Sequence, residues 1–334
     1  MTKKEGQKFE QQYLNSKLDL NIKMDDLFNK YLEYLNTHKN GKSVLDITSR
    51  YNNHFSLLGK KKVVNIKDSD LDLIVKKLQK DGYHPSYINT LITTFKTLMN
   101  FALKKGYIHH NPVSNYQKIK SIKTDEDLKY WTPEEIQKVI HSIPEVYKCA
   151  DYVQISQLIR FGFFTGMRYG EIRALKWKDI DFNQGVININ RHVAKHNTER
   201  IGRKNGSYHQ LVMDVDTRNV LSEIKSKVEK QPDFDKDCYV FHSSKRGMHF
   251  PLASSSGNKY MMKLAEANDL NHITFHGLRH SHASYLISIV GLSEAEVADR
   301  LGDTVAVTSK IYARFFNQAR VNAANKISEH KLGF

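Results

Sequence analysis

Cysteine is nearly absent from this chain, whose 334 residues include only Cys149 and Cys238. Two cysteines cannot form the disulfide framework of a small secreted domain, which favours a reducing, intracellular setting. No apolar run approaches the roughly 18 to 20 residues that a membrane-spanning helix needs, and no signal peptide opens the chain. The sequence also lacks a glycine-rich nucleotide-binding loop and an acidic metal cluster. These absences predict a cytoplasmic protein and give no sign of nucleotide or metal chemistry.

Positive charge, by contrast, is abundant and unevenly distributed. The chain has 51 Lys and Arg against 36 Asp and Glu, a net charge of +15. Residues 1–123 hold 22 basic and 11 acidic residues, a net +11, which leaves 29 and 25 for residues 124–334, a net +4. The length predicts two domains, and this imbalance is typical of a polyanion-binding module beside a more specialised one. On charge alone, a basic protein without any nucleic-acid role remains the alternative.

Helical periodicity dominates residues 21–118. Apolar residues recur at spacings of three and four from Met24, again over residues 44–58, and again over residues 68–80. Ser86 is predicted to cap a further helix over residues 87–105. The pattern predicts a compact all-α module, and the charged stretch at residues 119–130 is interpreted as a linker.

The second part, residues 131–334, combines helices with short strands. Thr132, Pro133 and Glu135 have the types expected at the N-cap, N1 and N3 positions of a helix. A helix is predicted over residues 153–164, and strands are predicted at residues 185–190, 210–214 and 239–241. The polar connection between the first two strands indicates a hairpin. The expected fold class is therefore mainly α with a small antiparallel β-sheet.

Residues suited to phosphate chemistry lie in three separated segments of the second part. These are TGMRYGE at 165–171, HGLRH at 276–280, and LGD at 301–303 with Tyr312 nine residues beyond. Because His276 and Arg279 are three residues apart at the start of a predicted helix, both project from one face and form an anion site there. Arg168 follows a glycine turn, with Glu171 three residues on to orient it. Two arginines and a histidine can bracket one phosphate, for which a phenol supplies a nucleophile.

These segments resemble the signature boxes of the tyrosine recombinase (phage integrase) family, in order and spacing. TGMRYGEIRALKWKDID resembles box I, FHGLRHSHAS resembles box II, and LGDTVAVTSKIYAR resembles the final box with its nucleophile. Residues 24–113, which end in FALKKGYIHHNPV, resemble the family's helical core-binding domain. The resemblance covers nearly the whole chain. It implies a two-domain DNA clamp, with a core-binding domain at 21–118 and an α+β catalytic domain at 131–334.

The resemblance implies a role for each matched residue. Tyr312 would attack the scissile phosphate, forming a 3′-phosphotyrosyl link and releasing a 5′-hydroxyl. Arg168 and Arg279 would hold the non-bridging oxygens and stabilise the transition state. His276 would accept a proton or donate a hydrogen bond to the phosphate.

The family also uses a hairpin lysine as general acid for the leaving 5′-oxygen. Lys204 is the preferred candidate, because KNGSYHQLVMD resembles the family's hairpin run, and Lys195 is the competing one. Glu171 and His280 are expected to support the catalytic side chains, and His282 to pack within its helix. No cofactor and no metal is expected, since the phosphotyrosyl link conserves the bond energy for religation.

Asp303 departs from the family pattern, in which His or Trp usually follows Leu-Gly. An ionised carboxylate cannot donate a hydrogen bond and repels phosphate, so Asp303 is an unusual substrate-binding residue. We expect its side chain to face an arginine or the Tyr312 hydroxyl rather than solvent. We further expect it to be tolerated rather than catalytic.

The resemblance also implies partners. The DNA partner would be double-stranded attachment sites, on which the protein would form a homotetramer through a C-terminal exchange helix at about residues 317–331. An accessory excision factor would be a further partner, and no membrane partner is expected. Residues 1–20 resemble a linker after an arm-binding domain, so the natural protein is expected to continue upstream by about one small domain. A DNA-binding protein with a decayed recombinase site and a type IB topoisomerase-like enzyme remain the alternatives.

Overall fold

The computed structural model describes residues 21–38, 41–120, 128–148, 151–193, 198–202 and 208–329. The chain divides into two compact units, Met1–Lys123 and Thr124–Phe334. Residues 1–20, which the sequence predicts to be a linker, lie outside the described part. No helix among the described residues is long and apolar enough to cross a membrane.

In its described residues the first unit has four α-helices. These are α1 (Met24–His38), α2 (Gly41–Arg50), α3 (Asp68–Lys80) and α4 (Pro85–Lys104). The predicted periodicity of α1 is confirmed, because Leu27, Tyr31 and Leu35 are all buried on one face. They belong to one hydrophobic core with buried residues of α3 and α4 such as Leu71 and Phe95.

The helix predicted over residues 44–58 is only partly correct. Helix α2 ends at Arg50 and is followed by a π-helical turn, Tyr51–Phe55, and a 3-10 turn, Ser56–Leu58. In the π-helical turn, the Tyr51 side chain points into the core. Its ring stacks on Phe28, and its hydroxyl donates to Asp25 at 2.7 Å. Periodicity alone does not reveal such a local widening.

The predicted N-cap of α4 is wrong. Helix α4 begins at Pro85, and His84, rather than Ser86, is the N-cap. Proline is well suited to N1 because the N–H that it lacks would have no helical partner there. The His84 ring accepts a hydrogen bond from the backbone N–H of Ser86 at 3.3 Å.

Two helices open the second unit. They are α5 (Pro133–Val146) and α6 (Tyr152–Thr165). The predicted start of α5 is confirmed, because the Thr132 hydroxyl accepts from the Glu135 N–H while the Glu135 carboxylate accepts from the Thr132 N–H. Buried residues of both helices pack with Phe275 and Leu278 in the main core of the unit.

Short strands follow. A three-stranded antiparallel sheet has the order β1 (Ile180–Asp181), β2 (Val186–Ile189) and β5 (His209–Val212), and β3 (Arg191–Val193) pairs with β4 (Glu199–Ile201). The predicted pairing of the strands near 185–190 and 210–214 is thus confirmed, but their connection contains a second hairpin. The strand predicted at 239–241 is wrong, since Tyr239 makes only a single bridge to Lys176. The third sheet instead pairs β6 (His242–Ser243) with β7 (Gly247–Pro251).

The rest of the second unit is helical. After the one-turn helix α7 (Tyr169–Ile172), the later helices are α8 (Val215–Val228), α9 (Ser256–Asn268), α10 (Phe275–Tyr285), α11 (Glu294–Leu301) and α12 (Val305–Glu329). Helix α12 is continuous except for a kink at Tyr312, so the helix predicted at about residues 317–331 begins earlier than expected. The predicted fold class, mainly α with small antiparallel sheets, is confirmed.

Candidate active site

The box I arginine lies directly beyond the end of α6. Gly166 ends that helix with φ +60°, where an added Cβ would come within 2.6 Å of the His282 ring. Arg168 then precedes α7, and the buried Glu171 carboxylate accepts from the Arg168 N–H at 3.0 Å and from its Nη1 at 3.1 Å. Glu171 therefore both caps the short helix and orients the guanidinium.

The box II arginine is held more tightly still. Arg279 lies on α10 and is only 3% exposed. Its Nη1 donates to the carbonyl oxygen of Gly166 at 2.9 Å, and its Nη2 donates to that of Leu301 at 3.0 Å. The guanidinium thereby connects the end of α6 with the end of α11, which brings the three sequence segments together.

Asp303 joins the two arginines. One carboxylate oxygen accepts from Arg168 Nη2, and the other accepts from Arg279 Nη2 at 2.5 Å. Burial alone would raise the pKa of Asp303, but the two guanidiniums outweigh it and hold that pKa below its usual value. Of the two arrangements expected from the sequence, the structure has the contact with arginine.

Tyr312 is buried at the kink of α12. Its backbone adopts φ −108° and ψ 16°, and the residue is 2% exposed. The ring belongs to a small apolar cluster that includes Leu286, Leu301 and Phe315. Burial raises the pKa of Tyr312 above its ordinary value, although Arg279 and Arg168 partly oppose this. The phenol is therefore neutral in the DNA-free protein.

His280 is the histidine that contacts the tyrosine. Its Nδ1 lies 2.9 Å from the Tyr312 hydroxyl oxygen, whereas His276 packs edge-on against the His280 ring at 4.9 Å between centroids. Desolvation, followed by the charge of Arg279, lowers the pKa of His276 to about 4 even though that residue lies at the surface. Desolvation, followed by His276 and Arg279, lowers the pKa of His280 to about 4 as well. The spacing of four residues on α10 places His276 and His280 on one face, which accounts for their ring contact and not for the contact of His280 with Tyr312.

His282, the remaining histidine of the segment, is buried. His282 is 3% exposed, and neither ring nitrogen has a hydrogen-bond partner among the described residues. Burial is the main reason that its pKa falls to about 3, with Arg300 and Arg279 adding to the effect. Its ring packs edge-on against Phe163, as expected for a residue that fills space within the fold.

Both candidate lysines lie outside the described residues. Lys195 follows β3, and Lys204 lies between β4 and β5. The choice between them stays a prediction. Among the described residues, the group of three metal-ligating side chains is Asp235, Cys238 and His249, none of which belongs to this site.

Comparison with known proteins decides the family. The model of the phage integrase family matches residues 129–318, more than half of the chain and all of the side chains described above. The chain belongs to the phage integrase family. The integrase of the element ICEBs1 from Bacillus subtilis is 23% identical over 259 residues, covering 76% of this chain and 68% of that protein.

Solved structures of two integrases share the fold. The Tn1549 transposon integrase, in complex with a circular intermediate DNA, aligns with a TM-score of 0.75 at 16% identity and covers 91% of this chain and 99% of that one. A lambda integrase tetramer bound to a Holliday junction aligns with a TM-score of 0.70 at 17% identity, covering 89% of this chain and 79% of that one. This member of the family is a tyrosine recombinase, an enzyme that breaks and rejoins DNA strands. These matches do not favour the two alternatives, a DNA-binding protein with a decayed recombinase site and a type IB topoisomerase-like enzyme.

Proposed function

We propose that this site-specific recombinase cleaves DNA through Tyr312, which forms a 3′-phosphotyrosyl link with the scissile phosphate. The observation that supports this most is the contact of the Tyr312 hydroxyl with His280 beside a pair of converging arginines. A neutral phenol is a weak nucleophile unless a base removes its proton. Nδ1 of the neutral His280 imidazole lies 2.9 Å from the Tyr312 hydroxyl oxygen, and in the tautomer protonated at Nε2 it can accept the hydroxyl proton.

The anion site is assigned to Arg168 and Arg279. In the DNA-free protein the two oxygens of Asp303 each accept from a different guanidinium, which is the arrangement that two non-bridging phosphate oxygens require. We infer that the scissile phosphate takes this place and that Asp303 moves aside or pairs with the outer edges of the arginines. Two fixed cations then stabilise the charge that develops on phosphorus.

The proton transfers follow from the same geometry. As the bond from the Tyr312 oxygen to phosphorus forms, the hydroxyl proton passes to Nδ1 of His280. As the bond from phosphorus to the 5′-oxygen breaks, the leaving oxygen takes a proton from Lys204. His276, at the surface beside both arginines, is assigned to donate a hydrogen bond to the phosphate. Religation runs these steps in reverse and needs no further energy source.

The substrate is double-stranded DNA at attachment sites of a mobile element, on which we propose that the enzyme forms a homotetramer. The lambda integrase tetramer on a Holliday junction, which has the same fold, supports this assignment. The net charge of +11 over residues 1–123 supports a core-binding role for residues 21–118, with lysines contacting phosphates. An accessory excision factor is a further proposed partner for the excision reaction, and residues 317–329 of α12 would dock on a neighbouring protomer.

A single assay tests the proposed function. The protein is incubated with a nicked attachment-site DNA from its source element, and the products are separated under denaturing conditions. We expect a protein–DNA adduct that survives denaturation, followed by joined recombinants. Binding without any adduct would indicate a decayed site, and relaxation of supercoiled plasmids without site preference would indicate a topoisomerase.

A further inference from the structure

Three potential ligand atoms converge outside the catalytic site, where the loop after α8 meets β7. They belong to Asp235, Cys238 and His249, and all lie within 4.8 Å of one another. The Cys238 sulfur is 3.7 Å from Nε2 of His249, and a carboxylate oxygen of Asp235 is 3.8 Å from the same nitrogen.

The orientation of His249 excludes a nucleophilic triad. In such a triad the thiol and the carboxylate contact opposite ring nitrogens, so that one orients the imidazole and the other loses its proton. Here both the Cys238 sulfur and the Asp235 carboxylate face Nε2. Three donors that point at one position are instead the pattern of a cation site.

We propose that Asp235, Cys238 and His249 bind a divalent metal of the zinc class. Tetrahedral zinc, with bonds of about 2.3 Å to sulfur and about 2.0–2.2 Å to nitrogen and oxygen, places sulfur about 3.6 Å from nitrogen and nitrogen about 3.3 Å from oxygen. The two separations that involve Nε2 of His249 exceed these values by about 0.1 and 0.5 Å. The sulfur and the carboxylate oxygen lie within 4.8 Å of each other, so a metal would have to draw these two side chains closer together. A thiolate, an imidazole and a carboxylate together favour zinc over the hard cations magnesium and calcium.

The backbone already arranges the ligands. One oxygen of Asp235 accepts from the N–H groups of Asp237 at 2.7 Å and Cys238 at 3.0 Å, which leaves the oxygen facing His249 for a metal. The N–H of Asp235 donates to the Cys238 sulfur at 3.4 Å, and the Cys238 thiol donates to the carbonyl oxygen of Asp233 at 3.5 Å. A metal would therefore displace the thiol proton when it binds. Cys238 is fully buried, whereas the side chains of Asp235 and His249 are 57% and 49% exposed. A metal can therefore enter from solvent, and water can complete the fourth position.

A metal in this place would be structural. The carbonyl oxygen of Cys238 accepts from the Trp177 N–H at 3.2 Å, and the Tyr239 N–H donates to Met248, next to His249. The site would thus connect the loop to β7 beside the last part of the box I segment, which contains Trp177. Because none of its ligands belongs to the catalytic site, metal removal should alter stability and leave the cleavage step unchanged.

The test is titration of the purified full chain with Co²⁺, which replaces zinc and reports a thiolate ligand by an intense near-ultraviolet charge-transfer band. We expect the band in the wild type, saturating at one equivalent and lost on addition of Zn²⁺. Cys238→Ser should abolish it, and His249→Ala, at a half-exposed position, should weaken Co²⁺ affinity by at least about tenfold.

Two matched controls accompany these variants. Cys149→Ser removes the other cysteine, and Asp237→Asn removes a neighbouring carboxylate that pairs with Lys178. Both should keep the band and the affinity. Absence of the band in the wild type, its persistence in Cys238→Ser, or its loss in Cys149→Ser would overturn the proposal, whatever the outcome of the DNA-cleavage assay.

Discussion

The Nδ1 atom of His280 on α10 lies 2.9 Å from the hydroxyl oxygen of Tyr312 on α12. Both groups are neutral in the resting protein, because burial raises the pKa of Tyr312 and desolvation lowers the pKa of His280 to about 4. In the His280 tautomer protonated at Nε2, the phenol donates to a bare Nδ1. Since His280 stays unprotonated down to about pH 4, acidification from pH 8 to about 6 should not remove this base.

Substitution of His280 tests the pair. His280→Ala should slow single-turnover cleavage by about 10²-fold or more, as expected for loss of a positioned proton acceptor, while DNA affinity is unchanged. His280→Asn keeps a hydrogen-bond acceptor near the former Nδ1, but an amide cannot take up a proton, so this variant should be about as slow as His280→Ala. Equal rates for wild type and His280→Ala would show that another group accepts the proton, with His276 the first candidate.

Substitution of Asp303 should slow DNA cleavage far less than substitution of Arg279, although the two residues contact each other. Arg279→Ala removes a fixed cation from the anion site and should cost several kcal/mol of transition-state stabilisation. Asp303→Ala removes only the group that fills the site before DNA binds and should change cleavage within about tenfold, near 1.4 kcal/mol. Asp303→His, which restores a donor, should be neutral or faster. A loss in Asp303→Ala as large as that in Arg279→Ala, measured on a suicide substrate, would make Asp303 a catalytic residue.

His282 should make the fold sensitive to acid. An unfolded histidine titrates near pH 6.5, whereas burial lowers the pKa of His282 to about 3. Between these values the unfolded state binds more protons, so the free energy of unfolding falls as pH drops below about 6.5 and is unaffected above it. His282→Leu should reduce the slope of the free energy of unfolding against pH by about 1.4 kcal/mol per pH unit between about pH 6 and 4.

Chemical denaturation at several pH values measures that slope. The matched control is His272→Leu, which removes an exposed histidine just before α10. If His282→Leu and His272→Leu reduce the pH dependence of the free energy of unfolding equally, burial of the His282 imidazole is not the cause of the acid sensitivity.

Lys204 should supply the proton to the leaving group. Lys204→Ala should slow cleavage by about 10²–10⁴-fold. A substrate with a 5′-bridging sulfur, whose leaving group needs no proton, should restore the rate. Rescue of Lys195→Ala in place of Lys204→Ala would assign the general acid to the β3–β4 connection.

Sequence reasoning predicted the parts of this fold that depend on local pattern. The start of α5 at Thr132, the end of α6 at Gly166 and the bounds of α3 follow from capping residues and periodicity. The π-helical turn after Arg50 was missed because it depends on packing against residues distant in sequence. Strands β6 and β7 were missed because β6 has only two residues and β7 contains Gly247 and Pro251, which strands disfavour.

In the active site too, the sequence predicts the residues that depend on local pattern but not the contacts that depend on tertiary structure. Arg168, Arg279 and Tyr312 could be selected from their segments, and Glu171 from its spacing to Arg168. Which histidine touches Tyr312 depends on the path of α12 across α10, and this is a tertiary property that spacing within one helix does not contain. The arginine contacts of Asp303 could be anticipated from charge alone, because a carboxylate near two guanidiniums pairs with them.

The most direct test of the account is covalent trapping of DNA by Tyr312. Wild type and Tyr312→Phe are incubated with a suicide substrate that loses its 5′-end after cleavage, and the adduct is quantified after denaturation. The variant lacks only the hydroxyl oxygen of a buried side chain, so it should fold and bind DNA normally yet form no adduct. The adducted peptide of the wild type should contain Tyr312. An adduct that persists in Tyr312→Phe would contradict the account.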